Sequence, residues 1–101
     1  LQDNPETALL DVRTPPERRQ MRIEGSTLVP IGDVMRGRLT LPREQPVMLI
    51  CAVGGRSYVA AKVLSKMGYR EVYNLDGGLE AWRRDGLPVE YGPEKVDKES
   101  P

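Results

Sequence analysis

Cys51 is the only cysteine in the chain of 101 residues, and its neighbours are those of a reactive thiol. The apolar run Val47-Met48-Leu49-Ile50 leads into it, and the loop Cys51-Ala52-Val53-Gly54-Gly55-Arg56 follows. Ser57 to Met67 then reads as an amphipathic helix, with Ala60, Val63, Leu64 and Met67 recurring along one face. A thiol between a strand and a helix start lies inside a ring of backbone N–H groups, against the positive end of a helix dipole. Both favour the thiolate, which is the nucleophile. Gly54 and Gly55 permit the positive φ angles that turn successive amides inward. Arg56 adds a full charge, spent either on a ligand or on a carboxylate. Such a cradle holds a small oxyanion, or charge developing on sulfur. The competing reading makes Cys51 a small buried hydrophobe at the end of a core strand.

Composition removes several other chemistries. The chain has no histidine, which excludes Cys-His and Ser-His catalysis and imidazole metal sites. One cysteine without histidine leaves no metal site to expect, and allows no internal disulfide, which suits a reducing, cytoplasmic setting. Fifteen basic residues balance fifteen acidic ones, so bulk charge points to neither nucleic acid nor membrane as partner. No stretch approaches the ~20 apolar residues that span a bilayer.

The elements that must position Cys51 alternate between strand and helix. Ala8 to Val12 reads as a strand, and Pro15-Pro16 opens a short helix through about Met21. Thr27 to Val29 is a strand stopped by Pro30, and Ile31 to Arg36 makes one or two helical turns. Val47 to Cys51 is apolar without alternation, as expected of a strand buried on both faces of a parallel sheet. Glu71 to Leu75 forms a further strand, and Asp76 caps a helix from about Gly77 to Asp85. These units predict one α/β domain over residues 1–91, built on a mainly parallel sheet flanked by helices. Residues 92–101 lack apolar anchors and read as a disordered tail. Leu1 to Asn4 reads either as the ragged end of a helix in an excised segment or as a disordered start.

Three segments carry a family likeness. Cys51-Ala-Val-Gly54-Gly-Arg56-Ser57 fits the Cys-x-x-Gly-x-Arg-Ser loop of rhodanese-like sulfurtransferase domains. Leu9 to Arg13 resembles their early Leu-Asp-Val-Arg strand, and Leu75 to Trp82 resembles their late Leu-x-Gly-Gly-x-x-x-Trp segment. The three stand in order and register from about Ala8 to Val89. The resemblance implies a three-layer fold, no cofactor, and a Cys51 persulfide that carries a sulfane sulfur from donor to acceptor. Thiosulfate or a protein persulfide would be the donor, and a thiol or cyanide the acceptor. Amides from Ala52 to Arg56 would cradle the transferred sulfur, with Asp11, Arg13 and Ser57 in support. Family domains also begin with a strand and helix that Leu1 to Thr7 is too short to supply, so the N-terminal end is expected to be truncated.

Two alternatives stay open. One is a rhodanese-like module that binds partners or senses redox state without turnover. The other is a cysteine phosphatase, whose Cys-x5-Arg loop is one residue longer than the four residues separating Cys51 from Arg56. The stretch after Arg13 departs from the family: Arg18 replaces an aromatic, Met21 a glycine and Arg22 a histidine. With Arg13 and Arg19 these form a basic segment, read either as a docking face for an acidic partner or as a solvated face balanced by Glu17 and Glu24. Asp11, near a strand end, needs a partner if buried; Arg56 or a backbone N–H could serve.

Overall fold

Period-two patterning on the central strands sorts the core into two halves, visible in a computed structural model that describes residues 6–93. The expectations for residues 1–5 and 94–101 lie outside the described residues. In chain order the elements are β1 (Ala8–Asp11), α1 (Pro15–Gln20), β2 (Met21–Arg22), β3 (Thr27–Leu28) and α2 (Ile31–Met35). They continue with β4 (Val47–Ile50), α3 (Gly55–Lys66), β5 (Val72–Asn74), α4 (Gly78–Arg84) and β6 (Glu90–Tyr91). A parallel sheet runs in the order β3-β1-β4-β5, with β1 paired to β4 from Ala8↔Val47 to Asp11↔Ile50.

Leu10, Val12, Val47, Leu49 and Cys51 point to one face, against Val34 of α2 and Ala60 and Leu64 of α3. Ile50 points to the other, against Leu79 of α4 and Ile23, with Leu9, Met48 and Trp82 packed around them. The result is a three-layer α/β fold with β4 at its centre, as the alternating pattern predicts. Cys51 follows the last residue of β4, so its sulfur lies beyond the carboxyl end of the sheet, where ligands bind in such folds.

Three expectations need correction. Asp76 does not cap α4: Gly77 occupies the N-cap with no side-chain bond. The reason is that the first amides of α4 have other partners. Leu79 and Glu80 donate their N–H groups to the carbonyls of Cys51 and Ala52, at 2.8 and 3.0 Å. The second correction is a pair of two-residue strands, β2 and β6, joined antiparallel through Met21↔Tyr91 and Arg22↔Glu90.

The third concerns the arginines. Arg13, Arg18 and Arg22 are only 4, 7 and 4 % exposed, and of the four arginines Arg19 alone is on the surface. The segment is therefore neither a docking face nor a solvated one. Buried acceptors explain this. Arg13 grips Asp11 through Nε–Oδ1 (2.9 Å) and Nη2–Oδ2 (2.8 Å), and also donates to the Met21 carbonyl. Arg18 donates to Ser26 Oγ and O at 2.9 and 2.7 Å and reaches Asp11 at 3.4 Å. Arg22 donates to the carbonyls of Arg18 and Gly92 and faces Glu90. A buried guanidinium is tolerated when its fork is satisfied in this way. Asp11, 1 % exposed, takes the Arg13 guanidinium and the Arg13 backbone N–H as partners, and not Arg56.

Candidate active site

The turn after β4 is shaped by Gly54, the N-cap of α3, at φ +97° in the left-handed region. That conformation aims the Gly54 N–H at Cys51 Sγ, 3.0 Å away. Gly55, expected to share the positive φ, is instead the first helical residue and has ordinary backbone angles. From one turn into α3, Ser57 brings its hydroxyl to 3.3 Å from the sulfur. Burial pushes the Cys51 thiol up, but hydrogen bonds from the Ser57 hydroxyl and from the amides of Ser57, Gly54 and Val53 outweigh it. The net shift is down, toward the thiolate.

A second contact fixes the loop from behind. Gly78, at φ +65°, lies so close that a Cβ there would stand 2.5 to 2.6 Å from backbone atoms of Cys51 and Ala52. The amides of Leu79 and Glu80 draw the Cys51 and Ala52 carbonyls toward α4. With those carbonyls turned away, the following amides are left on the sulfur side. The Gly77-Gly78 pair thus helps to form the nest.

Arg56 does not point its charge at the sulfur alone. Its guanidinium makes a bidentate pair with Glu17 of α1, at 3.0 and 2.8 Å. Of the two fates the sequence leaves open, a carboxylate partner is the one found. Glu17 also accepts from the Thr14 amide and hydroxyl, closing the capping box of α1. Ala52 is half-buried and Val53 exposed, so neither adds charge to the loop. Asp11 and Arg13 direct their hydrogen bonds to each other and to Met21, bracing the sheet end and β2 rather than touching the sulfur.

The model of the rhodanese-like domain matches residues 1–85. The chain belongs to the rhodanese-like domain family. It is 37% identical over 89 residues to a sulfurtransferase of Allochromatium vinosum, covering 88% of this chain and 83% of that relative. It is 49% identical over 47 residues to the thiosulfate sulfurtransferase GlpE of Vibrio cholerae, covering 46% of this chain and 44% of that one. The solution structure of a rhodanese-like domain from Anabaena sp. superimposes with a TM-score of 0.79 at 28% identity, covering 96% of this chain and 78% of that chain. No helix of the described residues is long and apolar enough to cross a membrane.

Of the rhodanese-like site, sequence reasoning missed Glu17 and Asn74. Glu17 had a local signal, the Thr14-x-x-Glu17 capping box, but its reach to Arg56 needs the fold. The pair has a pH signature. The Arg56 guanidinium lowers the Glu17 carboxyl from 4.5 to about 2, against a smaller opposing push from burial. A depressed folded pKa stabilises above the unfolded value and is lost as pH falls through the folded one. Wild-type stability should therefore fall between pH 4.5 and about 2 by more than that of Glu17→Gln. The pair is a third exposed, so after screening the gap amounts to about 1 kcal/mol, read from urea midpoints at pH 7, 4 and 2.

Proposed function

We propose that this domain is a sulfurtransferase that carries a sulfane sulfur as a Cys51 persulfide. The observation that carries the proposal is the sulfur at the carboxyl end of β4, held by the Gly54 amide and the Ser57 hydroxyl, with its thiol shifted toward ionisation. In the loading step the thiolate attacks the outer sulfur of the donor. An Sγ–S bond forms, the donor's S–S bond breaks, and its electron pair leaves with the donor, as sulfite from thiosulfate or as a thiolate from a persulfide. In discharge a nucleophilic acceptor attacks the outer sulfur, and the Sγ–S electron pair returns to Cys51 as thiolate. Neither step needs an imidazole base or a second cysteine, so the composition agrees with this chemistry.

Two observations favour a persulfide over thiosulfate as the faster donor. The one cation of the loop, Arg56, is already paired with Glu17. The exposed loop side chain is the uncharged Val53. Little positive charge is left for a dianion, whereas a persulfide carries less charge to neutralise. Thiosulfate stays within the proposal because the GlpE relative carries that name.

The test is intact-mass measurement after exposure to thiosulfate or to a small-molecule persulfide. A gain of about 32 Da, one sulfur atom, that cyanide reverses with release of thiocyanate is the expected result. Cys51→Ser should show neither the gain nor the thiocyanate. A folded wild-type protein that takes up no sulfur from either donor would assign the domain to the non-transferring, binding or redox-sensing class.

A further inference from the structure

We propose that Asn74, at the end of β5, is a positioning residue that competes with Cys51 for the single hydroxyl proton of Ser57. Ser57 Oγ stands 3.3 Å from Cys51 Sγ and 3.4 Å from the Gly54 carbonyl, and its nearest partner is Asn74 Oδ1. A serine hydroxyl has one proton to give. The amide of Asn74 cannot turn over to relieve this. Its Nδ2 donates to the Gly54 carbonyl at 3.2 Å, and a carbonyl accepts only from a donor, so Oδ1 must face Ser57. Oδ1 carries no hydrogen, and the contact therefore obliges Ser57 to be the donor.

The consequence follows from counting protons. With Cys51 protonated, S–H donates to Ser57, Ser57 donates to Asn74, and Asn74 donates to Gly54. Each of these four groups then has a partner. When the thiol ionises, the sulfur becomes the stronger acceptor and the hydroxyl turns to it, abandoning Asn74 Oδ1. Asn74 thus opposes ionisation by the hydrogen bond it gives up, while the same side chain holds Gly54, whose amide supports the thiolate. The nearby charges are Arg56 on α3 with Glu17 on α1, Asp11 and Arg13 on β1, Arg18 on α1, and the Glu80–Arg83 pair on α4. Those groups are the same in every variant below.

Resting on the sulfur-transfer reading, this competition sets the balance between the two half-reactions. A lower thiol pKa makes Cys51 a better leaving group when sulfur is passed on, but a weaker nucleophile when sulfur is taken up. Asn74 holds the thiol between those extremes.

The experiment is the pH dependence of Cys51 alkylation by iodoacetamide, which needs no sulfur donor. Asn74→Ala should move the midpoint to lower pH and speed alkylation below it by about threefold to tenfold, since Ser57 then serves the sulfur alone. Ser57→Ala should move the midpoint up. In a Ser57→Ala background, Asn74→Ala should no longer lower the midpoint, because the competition needs the hydroxyl and only the Asn74–Gly54 bond is left to lose. Asn74→Asp, which keeps the shape but holds the proton more strongly and adds negative charge, should also move the midpoint up. A purely structural Asn74 would give the opposite sign for Asn74→Ala, because loosening the loop weakens the amide support of the thiolate. A midpoint that rises or stays in Asn74→Ala, or an effect that persists undiminished without Ser57, overturns the proposal. If Asn74→Ala does not fold, an unmoved or lowered midpoint in Asn74→Asp overturns it. Failure of sulfur transfer itself is read separately, as the missing mass gain.

Discussion

Gly78→Ala should lower stability by about 3 kcal/mol or more and strip Cys51 of its enhanced reactivity together. Two costs add at this position. Its φ of +65° is strained for any residue with a Cβ, and the added carbon would stand 2.5 to 2.6 Å from Ala52 O, Ala52 C and Cys51 O. These are backbone atoms, so no side-chain rotation relieves the overlap. Either α4 withdraws or the loop shifts. Withdrawal of α4 pulls Leu79 away from Ile50 and Ile23 and breaks the two hydrogen bonds to the Cys51 and Ala52 carbonyls. A loop shift turns the amides that support the thiolate. Either way the thermal midpoint should drop by more than 10 °C, taking about 4–8 °C per kcal/mol for a domain of this size. Iodoacetamide alkylation at neutral pH should slow along with it. A variant that melts within a few degrees of wild type and alkylates at the same rate would show that the α4 contact does not shape the loop.

The second large effect lies away from the sulfur. Asp11→Asn should cost about 3–5 kcal/mol, because it removes a buried negative charge that two buried guanidinium groups share while keeping the shape of the side chain. Asp11 is the carboxylate that both Arg13 and Arg18 reach, and all three are buried. Arg18 would keep its bonds to Ser26, and Arg13 its bond to Met21, but Asp11 would no longer supply a carboxylate to either. Removing one of the two guanidinium groups that share Asp11 should recover part of the loss, so Asp11→Asn with Arg18→Met should be more stable than the sum of the single changes predicts. Urea unfolding of the four proteins measures this coupling. Strict additivity would mean that Asp11 and Arg18 do not share an electrostatic site.

How much of this was legible in the chain depended on how local the signal was. The β4 run, the apolar face of α3 and the Pro-Pro start of α1 are short-range patterns, and the structure follows them closely. The Cys51 loop was legible for the same reason: a strand, a glycine turn and a helix start are adjacent in sequence. The buried arginines were not. Side-chain type alone places arginine in water, and only the convergence of Asp11, Ser26 and the carbonyls of Arg18, Met21 and Gly92 reverses that. Strands β2 and β6 were invisible because two residues show no periodicity, and their partners lie about seventy positions apart. Asp76 misled because the capping rule assumes orphan amides, whereas those of α4 end on the carbonyls of another segment. Asn74 offered no pattern at all; its meaning comes from standing at the end of β5 beside Ser57 of α3.

The carboxylate of Glu17 belongs to two structures at once. It closes the first turn of α1 through Thr14, and it holds the guanidinium that begins α3. Helix and loop are thirty-nine positions apart along the chain, yet they share one side chain as their common fastening. Fraying of α1 therefore releases Arg56, and release of Arg56 removes one restraint from α1. The six-residue helix thereby carries one of the restraints on the segment that follows the sulfur, beside those that α4 supplies.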